Sequence, residues 1–508
     1  MIRSIIASTL ILLASFSITS AQVNIQDSLA LVALYDATNG DHWKNNSNWL
    51  FDPVSTWYGI TLQGDRVYVI NLYDNGLEGY IPDEIGELTG LVEIDLGFAK
   101  FTGGIPNVFW DMPNFYQLSL RECGLTGEIP SSLGSCPQFA RLTLTGNQLT
   151  GTVPPSLAAC TQLMHLLISS NNFSGPFPPV IESFEHLEQL ELSRNNFTGT
   201  IPEWVELLDG LWWFFIDDNQ FSGPTPFLGD KPNLTHLNIS NNPLNGNLED
   251  ILGFYPTLQY GNIDNTDITG ELSPSHFNPD HVVSLEARGN QLHALGDFSA
   301  WANKPNFIRL NVSSNNLDFD DLLPNSGIPS NKFYYAPQST IGNDTIVTLL
   351  PGEEYAIYSP MQDDDILYQW YFNQMLIEGP ENYDLILPPF SSELVGDFYF
   401  KATHAALPGL TLQSGITTLV EGTTAVCDAD KMAVSVFPNP TVDYLSIRAD
   451  ASAPIQQIRL YNSSGQLLQH QTHLQAEAHV SLRDYVPGIY FLKWSTATLS
   501  GIHEVIKE

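Results

Sequence analysis

One phrase of 24 residues recurs along half of this chain and leaves few folds open to it. Residues 187–202 read Leu-x-x-Leu-x-Leu-x-x-Asn-x-Phe-x-Gly-x-Ile-Pro, and residues 139–154 repeat the pattern with Phe, Leu and Val substitutions. Copies begin at Val67, Leu91, Phe115, Phe139, Leu163, Leu187, Leu211, Leu234, Leu258, Val282 and Phe307. The starts are 24 residues apart except for one interval of 23 and one of 25. A fixed period of this length is the mark of a solenoid, in which each unit buries its apolar face only by stacking on its neighbours.

Each position of the phrase has a physical task. The Leu-x-Leu alternation makes a short strand with one inward and one outward face. Burying each inward leucine is worth roughly 1.5–3 kcal/mol. Asn75, Asn147, Asn171, Asn195, Asn219, Asn242, Asn290 and Asn315 share the ninth position. An inward amide there can both donate to and accept from the backbone, forming a ladder along the stack. Ala99, Cys123 and Thr266 replace it in the remaining units and read as weak rungs. Glycines from Gly79 to Gly270 recur where the chain turns, and Ile-Pro or an equivalent follows in the first seven units. Cys136 and Cys160 hold the same position in adjacent units, about 5 Å apart by strand spacing. They are either bridged or, more simply, two buried thiols.

These eleven phased copies resemble the plant-type leucine-rich repeat. The resemblance covers residues 67 to about 330 and implies an α/β solenoid with a curved parallel sheet on its concave face. His293-Ala294-Leu295 and Asp318-Phe319 show the phrase decaying in the last two units. Residues 22–66 read as the cover for the first unit, with Asp27-Ser28 opening a helix over Leu29 to Leu34. Trp43, Trp49 and Trp57-Tyr58-Gly59 follow, like the N-terminal cap of plant-type repeat proteins; Leu62 stands near the usual cap cysteine, so no cap disulfide is expected.

Beyond residue 330 the repeat stops, and two all-β sandwich domains are expected. In 331–425, strand-like runs occur at Thr345–Leu350, Tyr355–Tyr358, Ile366–Phe372, Leu385–Leu387, Phe398–Ala402 and Gly415–Val420. Trp370 and the Gly396–Phe400 run resemble the C and F strands of an immunoglobulin-like domain, with Phe400 in place of the second cysteine. Asp363-Asp364-Asp365 reads as a solvated acidic turn rather than a calcium loop. In 426–508, Pro438-Asn439-Pro440, Gly488-Ile489-Tyr490 and the terminal Val505-Ile506-Lys507 resemble, in order, the C-terminal sorting domain of type IX secretion substrates of the Bacteroidetes. That resemblance implies passage through the periplasm and across the outer membrane, engagement of the secretion machinery through 430–508, and processing near 421–431.

Address and charge narrow the function. Arg3, the apolar run Ile5–Phe16 and Thr19-Ser20-Ala21 read as a signal peptide over 1–21. No further apolar stretch of about 20 residues occurs, so no transmembrane segment is expected in the mature chain. Nineteen Lys and Arg face 56 Asp and Glu, a net charge of −37, which argues against nucleic acid as a partner. The sequence holds no His-Glu-x-x-His, no Gly-x-Ser-x-Gly and no phosphate loop, so neither an enzyme nor a cofactor or metal is expected.

What remains is recognition. Positions three, five and seven of each unit point out of the concave sheet, and reading them across units maps its surface. One cluster stands out: His165, Leu167, Glu191, Trp213, Phe215, Asp217, His236 and Tyr260. Large aromatics on a rigid sheet suit an interface core. The expectation is an exported, non-enzymatic protein that binds a protein or glycan there. A structural adhesion component without a discrete ligand is the alternative, and a glycan-active enzyme a remote one.

Overall fold

The computed structural model describes residues 23–422 and 434–507, apart from 110–111, 135, 137, 380–382, 438–440, 450–454, 463–465, 473–476 and 496–499. The expected signal peptide, most of the expected processing region and Pro438-Asn439-Pro440 lie outside the described residues. The chain forms two compact units, Met1–Val420 and Glu421–Glu508.

The first unit is built on a 13-stranded sheet whose strands follow one another in chain order. β1 (Ile60–Gln63) pairs antiparallel with β2 (Arg66–Asn71). From there every pairing is parallel: β3 (Glu93–Asp95), β4 (Gln117–Ser119), β5 (Arg141–Thr143), β6 (His165–Leu167), β7 (Gln189–Glu191), β8 (Trp213–Phe215), β9 (His236–Asn238), β10 (Tyr260–Asn262), β11 (Ser284–Glu286), β12 (Arg309–Asn311) and β13 (Phe333–Tyr334). Repeat phase and sheet register coincide, so equivalent residues of successive units lie side by side. The central residues Leu142, Leu166, Leu190, Phe214 and Leu237 are buried. Where the eleventh position carries Phe instead of Leu, the rings of Phe173, Phe197 and Phe221 stack at 6.4 and 6.0 Å.

The asparagine ladder has a uniform geometry. Asn195 Oδ1 accepts from the Phe173 N–H, and its Nδ2 donates to the carbonyls of Ile168 and Leu192, all at 3.0 Å. Asn147, Asn171, Asn219, Asn242, Asn290 and Asn315 repeat this pattern. Asn75 instead exchanges both bonds with the backbone of Asn45 in the cap. Two of the expected weak rungs keep part of the function: the single Thr266 hydroxyl proton goes to the Ile263 carbonyl or to Asn290 Oδ1, and the Cys123 thiol donates to Leu96 O at 3.3 Å. The residue before each rung is left-handed in all eleven units, including Phe98, Glu122 and Arg194 at φ of 54 to 60°. Bulky residues avoid this conformation; backbone bonds to the next unit hold it, Phe98 N–H donating to the Arg121 carbonyl, Glu122 N–H to Thr145 and Arg194 N–H to Asp217.

At the open end, helix α1 (Ile25–Ala37) and the rings of Tyr35, Trp43, Trp49 and Trp57 cover the first unit, with Trp49 and Trp57 centroids 4.5 Å apart. The N-cap is Asn24 and not Asp27-Ser28. Asp27 is fully buried because its carboxylate is taken by Arg66 at 2.7 Å and by the Val67 N–H at 2.7 Å, so it ties the helix to β2 instead of capping it. Gly79 is left-handed and sits where a Cβ would strike the Ala37 carbonyl oxygen, which makes glycine obligatory at that contact between cap and repeat.

At the other end Gln338 acts as a final rung. Its Oε1 accepts from the Asn315 N–H at 3.0 Å and its Nε2 donates to the Val312 carbonyl at 2.9 Å. The chain then enters a six-stranded sheet of order β14-β21-β19-β16-β17 with β20 beside β19, comprising β14 (Thr345–Leu349), β16 (Ile366–Phe372), β17 (Met375–Leu376), β19 (Gly396–His404), β20 (Leu412–Gln413) and β21 (Thr417–Glu421); a two-stranded sheet holds β15 (Ala356–Ile357) and β18 (Leu385–Ile386). Trp370, fully buried, meets Phe400 edge-on at 5.1 Å. This module shares one continuous apolar core with the solenoid, and Tyr335 Oη donates across to the Pro408 carbonyl at 2.9 Å. The Asp363 carboxylate accepts from the Asp365 N–H within the acidic turn.

The second unit packs a sheet of β22 (Val434–Phe437), β23 (Tyr444–Ala449) and β26 (Glu477–Ser481) with one of order β25-β24-β27-β28: β25 (Leu467–Thr472), β24 (Gln457–Asn462), β27 (Gly488–Ser495) and β28 (Ser500–Lys507). Leu445, Ile447, Leu460, Val480, Leu492 and Val505 form its separate core. Lys507 is buried, with its ammonium donating to the carbonyls of Leu482, Arg483 and Tyr485.

Candidate functional site

Parallel register assembles the concave surface from one residue per unit. Along one row His165, Gln189, Trp213, His236, Tyr260 and Ser284 are successive neighbours; along the next, Leu167, Glu191, Phe215 and Asn238. These side chains stand out of the sheet because the residue between them on each strand goes inward.

Four rings make one contiguous band. Trp213 and Phe215 stack at 5.8 Å with 13° between their planes. His236 sits edge-on to both, at 5.6 and 6.2 Å, and stacks on Tyr260 at 4.8 Å. Tyr260 is exposed, and Trp213, Phe215 and His236 are half-buried. In the run Trp212–Phe215, Phe214 is core, Trp212 lies exposed beside the row, and the other two rings face out. His236 Nδ1 lies 2.9 Å from Thr235 Oγ1, and burial lowers its pKa, which favours the neutral ring.

Two carboxyls border the band. Burial raises the Glu191 pKa, and the nearby Asp217 charge adds to this; Ser169 Oγ, donating at 3.2 Å, and the charge of Arg121 work the other way. Asp217 is likewise raised, first by burial and then by Asp218, against a hydrogen bond from Ser193 Oγ. Neither makes a salt bridge within 4.0 Å among the described residues. Taking a carboxylate out of water without a close cation is costly, which is why burial raises both values despite the serine hydrogen bonds.

The structure does not gather all eight expected residues equally. Asp217 is 8% exposed, well inside the surface, as are the equivalent Ser169, Ser193 and Ser240. The seventh position lies just before the left-handed turn, and its polar atoms bond to neighbouring side chains rather than project. His165 belongs to the flank: its Nε2 is 3.6 Å from Glu188, and burial with Arg141 nearby lowers its pKa. Leu167 borders Glu191. Sequence reasoning passed over Thr235 and Glu188, which hold the two histidines, because both sit at the second position, outside the rows used for mapping. Cys136 and Cys160 are buried thiols; Cys136 Sγ lies 3.4 Å from the Met112 carbonyl, and burial with Cys136 nearby pushes Cys160 up to about 12.

Comparison with known proteins agrees with this architecture. The Leucine Rich Repeat model matches residues 114–136, 162–184, 186–208 and 233–254. The Secretion system C-terminal sorting domain model matches residues 435–508. Among solved structures, a plant ice-binding protein is similar over 55% of this chain and 92% of its own, at 24% identity and a TM-score of 0.50. The plant peptide hormone receptor RGFR1, solved with RGF2, is 28% identical over 54% of this chain at a TM-score of 0.47; this chain spans less than half of that receptor chain, 44%. No curated protein matches the sequence. The fold and its matches define a leucine-rich-repeat solenoid followed by mainly antiparallel β domains. This chain carries leucine-rich repeats and a type IX secretion sorting domain, which directs it to the cell surface or the extracellular space. No helix among the described residues is long and apolar enough to cross a membrane.

Proposed function

We propose that this is a secreted, non-enzymatic recognition protein whose concave face, from Leu167 to Tyr260, docks a basic segment of a partner protein. The observation that carries this is the joint presence of a four-ring aromatic band and, at its edge, the partly buried carboxyl of Glu191, which makes no salt bridge within 4.0 Å among the described residues. A lysine or arginine from a ligand would lie against the rings and pair with Glu191 at the edge of the band. The net charge of −37 favours encounter with a basic partner over an acidic one. In this reading the immunoglobulin-like module at 331–425 closes the solenoid, and residues 426–508 serve delivery.

The test is a pair of arrays, one of synthetic peptides of graded charge and one of glycans. Both are probed with the secreted chain and with its Trp213→Ala/Phe215→Ala variant. Basic peptides retained by the parent chain and lost by the variant support the proposal. Basic-peptide retention that survives the double substitution places that binding elsewhere, and a patch-dependent signal confined to glycans replaces the peptide with a sugar.

A further inference from the structure

A second site lies on the flank of the first four units, away from the aromatic band. Arg66, Gly90, Asn114 and Gln138 occupy one repeat position, immediately before successive units, and Tyr68, Val92 and Tyr116 the second position of the first three. Side by side they line an open trough of about 740 Å3, with Gln63 and Pro113 at its borders. That lies within the ~300–1,000 Å3 of small-ligand clefts. Gly90 and Val92 form the low stretch between two tyrosines that stand two strand spacings, roughly 10 Å, apart.

The chemistry of the lining is unusual for this chain. With 56 carboxylates in the sequence, none lines the trough. Its one ionic group, Arg66, is already committed: the guanidinium holds buried Asp27 through three hydrogen bonds of 2.7–3.1 Å and also donates to the Glu87 carbonyl. What remains for a ligand is three amides and two phenol rings. Among the described residues, no side-chain hydrogen bond ties up the exposed amides of Gln63, Asn114 and Gln138. Each amide offers donor and acceptor at once.

Tyr116 is held in place before any ligand arrives. The Arg141 guanidinium lies 5.7 Å from its ring centroid, and its hydroxyl points to Met164 Sδ at 3.8 Å. A fixed ring costs less to engage than a mobile one. The backbone beneath is also satisfied, since Val92 N–H donates to the Tyr68 carbonyl and the Tyr116 and Gln117 N–H groups share the Val92 carbonyl. The trough therefore offers no free strand edge for a peptide to pair with.

The geometry points to a binding site for a neutral oligosaccharide. Sugar C–H faces lie against the two tyrosine rings, about two pyranose units apart by strand spacing. The hydroxyls, each both donor and acceptor, pair with the three amides. Because no net charge faces the ligand, a neutral glycan is preferred to an acidic one. The site is independent of the basic-segment site proposed above.

The experiment is calorimetric titration of the full secreted chain with cellotetraose, laminaritetraose, mannotetraose, maltotetraose and, as the charged counterpart, tetragalacturonate. We expect submillimolar binding of at least one neutral tetrasaccharide. Tyr68→Ala and, separately, the surface substitution Gln138→Ala should each weaken it roughly tenfold or more, and Trp213→Ala/Phe215→Ala should leave it unchanged. The inference is overturned if no neutral tetrasaccharide binds below millimolar, if the uronate binds most tightly, or if affinity survives both trough substitutions.

Discussion

The two faces of the concave sheet are made by the same three-residue strands, yet they obey different rules. Inward, the central position holds an apolar residue in every unit but one: leucine in Leu118, Leu142, Leu166, Leu190, Leu237, Leu285 and Leu310, isoleucine or phenylalanine in Ile70, Ile94 and Phe214, with Gly261 the exception; each of these apolar residues is buried. Outward, the adjacent positions run from Arg141 through His165 and Glu191 to Trp213 and Tyr260, changing between charged, amide and aromatic side chains from unit to unit. The inner face is constrained by stacking and the outer face is not, so variety there is the mark of a surface free to take up a ligand. The contrast also separates what a substitution should do. Inner changes should cost stability whatever the ligand; outer changes should cost binding and little else.

Leu190→Ala should give the largest loss of stability, about 3–5 kcal/mol, since it opens a cavity in a fully buried position. Urea denaturation followed by circular dichroism measures it, and a loss under about 1 kcal/mol would mean the stack relaxes in a way this structure does not show. Asn195→Ala should come next at about 2–3 kcal/mol, because the Phe173 N–H loses its acceptor and two carbonyls lose a donor in the interior. In the second unit, Lys507→Ala should lower the stability of the sorting domain by about 1–3 kcal/mol, by stripping three carbonyls of their shared donor. Cell fractionation should then show less of the chain outside the outer membrane.

The smallest effect has the opposite sign. Glu191 has its pKa raised, mainly by burial, above the ordinary glutamate value of 4.5. Below that value the folded and unfolded states are both protonated, and there is no penalty. As pH rises from 4.5 through the folded pKa, the unfolded state holds fewer protons than the folded one, so stability falls and then levels off. Glu191→Gln removes this penalty. It should raise the denaturation midpoint slightly at neutral pH and leave it unchanged in acid; a gain of equal size at both would assign it to packing instead of charge.

How much of this was legible in the sequence follows the same division. The ladder asparagines and inward leucines were readable because eleven copies keep one phase and eight of them carry the asparagine. The left-handed residue before each rung was not, because Phe98, Glu122 and Arg194 share no chemistry that marks it; only the backbone shows the rule. Gln338 escaped notice because it completes the ladder from outside the repeat, 23 residues after Asn315. Asp27 looked like a cap because acidic residues suit helix starts; its use by Arg66, 39 residues away, is a tertiary fact. On the concave face, alternation was enough to name the outward residues. The burial of Asp217 and the tie from His165 to Glu188 depend on how the rows close over one another, and no single unit records that. The flank trough arises from residues that are unremarkable until four units align them.

The central claim is that the aromatic band is a place of contact and not a patch of self-packing. Isothermal titration of the parent chain and of Trp213→Ala/Phe215→Ala with the strongest basic peptide from the array tests it most directly. The account predicts at least about a thirtyfold loss of affinity, as for removal of an interface hot spot, with the unfolding free energy within about 1 kcal/mol of the parent. Equal affinities for the two chains would contradict it.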